Sequence, residues 1–336
     1  MRNETRLVFN KLSQRIAQLN QVGTAEVKFS VAPSVQQTLE NQIQLSSSFL
    51  QAINVIGVVE QSGEKLYLGV SGTIAGRTDT TANDRTPADP STLDNNLYTC
   101  TKTNFDTSLT YAKIDAWAKF PDFQTRVRDL VVNQQALDRM MIGFNGTHIV
   151  ATTDRVANPL LQDVNIGWLQ HIRNDAPAHW MKEVVAGSGK VNVGAGKDYE
   201  NLDALVYDVT ENLIDEALRD NPNLVVICGR ALLHDKYFSR INQQQTAENE
   251  LATDIIVAQK SIGGLKAIRV PFFPANALLV CTLDNLSLYY QEGGRRRQLF
   301  DNPKRDRIEN YESSNDAYVI ENYRAVAFVE NIVVTQ

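Results

Sequence analysis

Residues 122–146, DFQTRVRDLVVNQQALDRMMIGFNG, form the longest uninterrupted helical pattern in the chain, and the reading of the fold turns on them. Pro121 precedes the stretch with a φ suited to a helix start, and Gly143 and Gly146 close it with residues suited to a stop. Phe123, Val127, Leu130, Gln134, Leu137, Met141 and Phe144 recur at steps of four and three, which places them on one helical face. Arg126, Arg128, Asp129, Asp138 and Arg139 fall on the other. At about 1.5 Å per residue the helix spans roughly 30–35 Å. The expectation is a spine whose apolar stripe turns inward and whose charged face looks out. Gln134 is the one polar residue on that stripe.

Toward the N-terminus the period changes. In 98–115, Tyr98, Cys100, Lys102, Asn104, Asp106, Ser108 and Thr110 alternate with Thr99, Thr101, Thr103, Phe105, Thr107, Leu109 and Tyr111. Neither face is strongly apolar, so this Thr-rich strand is expected outside the core, in a long two-stranded arm. Such an arm is marginal alone in water and gains stability by lying on another subunit. Before it, 73–97 is rich in Thr, Asp, Asn, Pro and Gly. An insertion of about 25 such residues is uncommon in a compact domain and signals function or disorder. Residues 55–72 read as two strands around Gln61-Ser62-Gly63-Glu64. Further out, Thr5–Asn20 reads as a helix with Val8, Leu12, Ile16 and Leu19 on one face, ended by Gly23. A second helix opens at Pro33-Ser34, with Val35, Leu39, Ile43, Leu50 and Ile53 in a stripe. Both either pack on the main body or reach to a neighbouring subunit or an assembly factor.

Toward the C-terminus, 147–200 is loop-rich, with one helical segment at 163–173 and a turn or hairpin at 187–196. A new unit begins at Tyr199. It has a helix over 202–218, the buried-strand run LVVIC at 224–228, a helix over 230–241, and strands within 255–264, 265–273 and 277–291. This alternation predicts an α+β domain of about 100 residues. The closing run AYVIENYRAVAFVENIVV, 317–334, reads as two strands returning to an earlier sheet.

At 336 residues, 43% hydrophobic and 21% charged, the composition is that of a globular protein with ample chain for a core. No apolar run approaches the ~20 residues of a membrane span, and no signal peptide is expected. Three scattered cysteines, Cys100, Cys228 and Cys281, predict no disulfide framework. The net charge is −6, yet residues 1–28 carry five basic residues against two acidic ones, a net +3, which leaves −9 for the remainder. A basic arm on an acidic body points to an N-terminus with its own partner.

Catalytic patterns are missing. His148, His171, His179 and His234 lack metal-ligand spacing. Lys190 and Lys197 each follow a glycine but lack the Gly five residues before it and the Ser or Thr after the lysine that a phosphate-binding loop needs. Gly69-Val70-Ser71-Gly72 is one residue short of a nucleophile elbow. The densest basic patch is Arg295, Arg296 and Arg297, followed by Lys304, Arg305 and Arg307. It reads as a solvated turn or as a contact with an acidic partner; without interleaved aromatics it does not suit DNA. No catalytic residue, cofactor or metal ligand is assigned.

In order, these elements are a helical arm, a long hairpin with a polar insert, a spine helix, a compact α+β unit and closing strands. The chain resembles the Hong Kong 97-type major capsid fold of tailed phages and, within it, the major capsid proteins of P-two-like temperate phages. The resemblance runs nearly end to end, through MRNETRLVFN, SSSFLQAINVIGVVEQSGEKLYLGVSGTIAGRTDT, the spine stretch, NPLLQDVNIGWLQHIRNDAPAHWM, LVVICGRALLHDKYF, VPFFPANALLV and NPKRDRIENYESSNDAYVIENY. It implies an arm at 1–30, a linker helix at 31–55, an extended hairpin at 56–115 and a peripheral domain at 116–198. It further implies an axial domain at 199–310 and strands returning to the peripheral domain at 311–336. It implies a non-enzymatic shell subunit that forms hexamers and pentamers of an icosahedral head. Its implied partners are itself, an internal scaffolding protein that doubles as maturation protease, a portal protein, and packaged double-stranded DNA held without sequence specificity. Its implied place is the virion, and the host cytoplasm during assembly. The arm is expected to be cleaved near Phe29-Ser30. Contacts between subunits are expected at Lys65, Thr78, Asp79, Arg85 and Lys102 in the hairpin and at Arg295, Arg296 and Arg297 in the basic turn. Lys65 and Lys102 are also the hairpin candidates for the lysine–asparagine crosslinks of some relatives. An encapsulin-type cargo shell and a soluble hydrolase built on 199–310 are the rival readings.

Overall fold

A computed structural model describes residues 1–70, 75, 77–82, 84–87, 91–117, 120, 123–232 and 261–335. The chain opens with helix α1 (Asn3–Leu19), strand β1 (Phe29–Ser30), helix α2 (Pro33–Leu45) and the short α3 (Ser48–Ala52). Pro33 starts α2 at a position where its missing N–H costs nothing, and the Ser47 side chain caps α3. Asn20, just past α1, donates to the Ile16 carbonyl and accepts from the Ala32 N–H, so the exit of α1 is tied to the entry of α2. Next come β2 (Asn54–Val58), β3 (Ser62–Val70), β4 (Ser91–Thr99), β5 (Thr101–Asn104), β6 (Thr107–Thr110) and α4 (Tyr111–Trp117). Then follow α5 (Phe123–Asn145), α6 (Trp168–Asp175), β7 (Trp180–Met181), β8 (Val191–Val193) and α7 (Leu202–Leu213), the last capped by the Asn201 side chain. The remaining strands are β9 (Val225–Cys228), β10 (Ser261–Ile262), β11 (Leu265–Ile268), β12 (Leu278–Cys281), β13 (Leu286–Gln291), β14 (Arg296–Asn302), β15 (Arg307–Ile320), β16 (Ala327–Val329) and β17 (Ile332–Val334).

The 14-residue β15 is the axis of a seven-stranded sheet. Asp316 pairs with Tyr290 on one side and Thr101 on the other, and Arg307–Asn310 is likewise flanked by β14 and β6. So β13 and β14 run end to end along one edge of β15, and β5 and β6 along the other. β2 adds in parallel to the outside of β13, and β1 adds antiparallel to the outside of β14. A second sheet has the order β10-β11-β9-β12-β16-β7. Its β9 and β12 are buried at every position, as the run LVVIC predicts. α7 covers it with Leu205, Val206 and Val209. β3 and β4 form a separate two-stranded hairpin, and β8 pairs with β17.

The largest core lies under α5 and α6, where Phe49, Phe144, Trp168, Phe273 and Tyr318 meet edge to face. Gly143 is a packing slot: a Cβ there would lie 2.2 Å from the Trp168 ring. The helix ends instead at Gly146, after Asn145.

Several expectations are corrected. α5 is rotated from the expected orientation. Val132, Gln135, Ala136, Arg139 and Met140 are buried, while Leu130 and Leu137 are 50% and 37% exposed. Buried charge partners for Arg139 outweigh the apolar stripe. The 98–115 run is not one strand of a reaching arm: after β4 it becomes β5, β6 and α4, and Cys100, Thr103 and Phe105 are buried beside β15. The boundary expected between 310 and 311 falls inside β15, and β13 and β14 belong to the sheet that holds β1 and β2. The expected return of the last strands also divides, since β16 joins the second sheet. In α1 the buried residues are Thr5, Phe9, Ile16 and Ala17, and Leu19 is exposed. The expected helix over 230–241 and strand over 255–264 fall largely outside the described residues, as do Asp122 and parts of 73–97.

Candidate functional site

The N-terminal segment folds onto its own chain. Phe9 and Ile16 of α1 pack with Ala25, Phe29 and Val31 against Ile114 of α4, Leu299 of β14 and Ile308 of β15. Arg6 pairs with Asp301, which also accepts from the Tyr111 hydroxyl. The linker is pinned by backbone: Leu299 N–H donates to the Ala25 carbonyl at 2.9 Å, and Val31 N–H to the Arg295 carbonyl at 3.0 Å. Phe29 and Ser30, the expected cleavage point, pair with Arg297 and Arg296 in β1–β14. The Phe29 side chain is buried, and Ser30 Oγ accepts from Arg296 Nη1 at 2.7 Å.

Behind this seat lies a buried charge network. Glu40 of α2 accepts from Arg139 of α5, and at 2.6 Å from Arg295 Nη1 on the β13–β14 link. Arg139 also donates to Asp316 of β15 through Nε at 3.1 Å and Nη2 at 3.2 Å. Arg295 donates to Glu312 at 2.8 Å and to Gln135 at 2.6 Å, and Gln135 donates on to Glu312 at 3.2 Å. Ser314 donates to Asp316 at 2.6 Å. Every one of these side chains is buried. Glu40 therefore joins the linker helix to both the spine and the β13–β14 link.

The electrostatics follow from three carboxylates sharing two guanidiniums. Burial works to raise the Glu312 carboxyl, but Arg295, with Arg297 beyond it, reverses this and holds it at about 2. Burial opposes ionisation of Glu40 too, and Arg139 and Arg295 together keep it below the usual carboxylate range. Burial raises Asp316 above that range, because the Arg139 facing it is shared with Glu40.

Of the expected contact residues, Arg295 is fully buried in this network, so it is no surface contact. Its guanidinium is desolvated only because two carboxylates and an amide oxygen receive it. Lys65 is also turned inward: it is buried, its Nζ donates to the Ile320 carbonyl and it lies 4.7 Å from the Tyr323 ring centroid. Tyr98, Asn165, His171 and Tyr323 line with it a cavity of about 220 Å³ at the hairpin base. Arg296 and Arg297 are half-buried, and Arg297 donates to Asn310 at 2.9 Å. Thr78, Asp79, Arg85 and Lys102 are exposed. Glu40, Gln135, Arg139, Glu312 and Asp316 escaped the sequence reading. One signal was there: Glu40 is the only charged residue between Lys28 and Glu60.

A profile described as phage major capsid protein, P2 family, matches residues 8–332. A protein of Escherichia phage P2 named "Capsid proteins" is 49% identical over 342 residues, covering 99% of this chain and 96% of that protein. The major capsid protein of Serratia phage KSP20 is 42% identical over 343 residues, covering 100% and 99%. Among solved structures, a chain of the satellite phage P4 procapsid that includes the size determination (Sid) protein is similar at a TM-score of 0.83 and 47% identity. That match covers 100% of this chain and 99% of the other.

Proposed function

This chain belongs to the P2 family of phage major capsid proteins, and from that premise we propose that it builds an icosahedral head from hexamers and pentamers around double-stranded DNA. It is a major capsid protein with the Hong Kong 97-type fold, and its relatives are structural shell proteins. The observation that carries the reading is the end-to-end likeness to a procapsid subunit, with no large segment of either chain left over.

The finer reading is that assembly is guided by an internal scaffolding protein that is also the maturation protease. A portal protein occupies one vertex, and the DNA is held without sequence specificity. The subunit performs no catalysis and needs no cofactor. It assembles in the host cytoplasm and ends in the virion; among the described residues no helix is long and apolar enough to cross a membrane. The β3–β4 hairpin, with the exposed Thr78, Asp79 and Arg85 between its strands, lies on a neighbouring subunit. The unit built on β9, β11, β12 and α7 meets its copies around the capsomer axis. Obligate interfaces of this kind bury about 2,000 Å² or more.

Maturation cleaves the chain near Phe29-Ser30. A protease needs this bond in a free extended segment, so β1 must leave β14 first. The reading is supported by how little of the seat lies at the bond itself: β1 is two residues long and, among the described residues, pairs with β14 alone, with the Phe29 ring as its buried anchor. Loss of residues 1–29 removes a net charge of +3 per subunit. Intact-mass measurement on mature particles tests this. Loss of the first 29 residues is expected, and retention of Met1 or Arg2 would reject the cleavage.

A further inference from the structure

Among the described residues the seven-stranded sheet ends on one side in β1, which pairs only with β14, and β2, which pairs only with β13, and on the other in β5 with β6, which pair only with β15. Natural edge strands are usually blunted by lysine, proline or an inward charge, because a row of unpaired N–H and C=O groups recruits another strand. β2, Asn54-Val55-Ile56-Gly57-Val58, carries no charge and no proline. Ile56 is 39% exposed and the following Val59 72% exposed. Val58 turns its carbonyl toward the β13 side, where Glu292 N–H donates to it at 2.8 Å. Backbone groups alternate sides along a strand, so Val55 and Gly57 present theirs to the open margin. Among the described residues, no backbone group outside the sheet reaches them.

The margin is acidic. Glu60 and Glu292 are exposed, and the Glu292 side chain lies over Gly57, where a Cβ would fall 2.5 Å from its carboxylate oxygen. A two-fold pairing of β2 with itself would bring these carboxylates together, which is unfavourable. On the opposite margin β5 is Thr101-Lys102-Thr103-Asn104; Lys102 is exposed, whereas the Asp106 carboxylate that follows is turned to β15, where it accepts from the Glu312 N–H at 3.1 Å.

We propose that β2 is extended in the assembled shell by β5 of a second copy, a head-to-tail strand addition that sets Lys102 of one copy against Glu60 and Glu292 of the next. It rests on the capsid reading above and deepens it. Joining unlike margins head to tail generates rings when the rotation closes. Backbone hydrogen bonds supply the affinity, and the charge pair fixes direction and register.

The test is thiol crosslinking within assembled particles. The three native cysteines are buried, so they give little background. In the Ile56→Cys/Asn104→Cys chain, which keeps Lys102, a short bis-maleimide should produce a ladder of covalent multimers, whereas either single variant should stay monomeric. Intact particles without a ladder would overturn the proposal, as would dimers from Ile56→Cys alone or crosslinks only to the scaffolding protein. A charge swap reads the same contact without crosslinker. Lys102→Glu should leave thermal unfolding of the free subunit unchanged and abolish closed particles; combining it with Glu60→Lys and Glu292→Lys should restore them. Normal particles from Lys102→Glu alone would contradict the pairing. Failure of the parent chain itself to assemble would instead refute the capsid reading.

Discussion

Glu40 is the residue on which three parts of the subunit meet. It accepts from Arg139 of the spine and Arg295 of the β13–β14 link while sitting on the linker helix. Removing one partner of a buried pair leaves an uncompensated charge, at a cost of about 3–5 kcal/mol. Glu40→Ala is therefore expected to lower the unfolding midpoint of the free subunit sharply in denaturant titrations; an unchanged midpoint would show the network to be slack. The acid limb has a definite sign. Glu312 titrates at about 2 in the folded chain against an ordinary 4.5. Its contribution is present above about 4.5 and lost as pH falls toward about 2, some 3 kcal/mol at most. Asp316, shifted upward, has the opposite slope and offsets part of that loss. Glu312→Gln should flatten stability against pH in this window, and an acid limb as steep as the parent's would place the linkage elsewhere. None of this was visible in the spacing of charges, because Glu40, Arg139, Arg295 and Glu312 come from four distant segments. The solitary charge at position 40 was the only local hint.

At the scale of elements, α5 shows what periodicity conveys and what it misses. The helix lies where the pattern places it, from Phe123 to Asn145. Its orientation does not follow the stripe, because Arg139 finds buried carboxylates and Gln135 a buried guanidinium. Gln134, the anomaly on the stripe, is simply exposed and bonded to Asp138 at 2.7 Å. Truncation distinguishes the two orientations. Met140→Ala should cost about 2–5 kcal/mol and Leu130→Ala under about 1 kcal/mol in the unassembled subunit. The reverse order would restore the orientation read from the stripe. The Thr-rich 101–110 run was misjudged for a similar reason. Its alternation was read from one strand alone, but β5 is paired into the sheet by β15, and Thr103 and Phe105 are buried, the Phe105 ring centroid 6.0 Å from the Arg139 guanidinium of α5. Strands of continuous apolar character, β9 and β12, were legible because burial on both faces leaves no pattern to misread.

For the whole molecule, the order of elements and the family were legible from long strings matched in sequence, and the boundaries between units were not. β15 begins before the expected boundary, and β13, β14 and β16 are dealt to different sheets than their neighbours in the chain suggest. Long-range pairing of this kind is set by register across the fold, which no local window contains. The subunit that results carries, among the described residues, an open margin whose strand β2 itself bears no charge, exposed Leu130 and Leu137 on its longest helix, and a hairpin with no third strand. Each is a liability in a solitary protein and an asset in a shell. The most direct test is the size of the native species when the chain is expressed with the proposed scaffolding protein and imaged by electron microscopy. Closed icosahedral particles tens of nanometres across are the expected result. A stable monomer or dimer that forms no shell under those conditions would contradict the account.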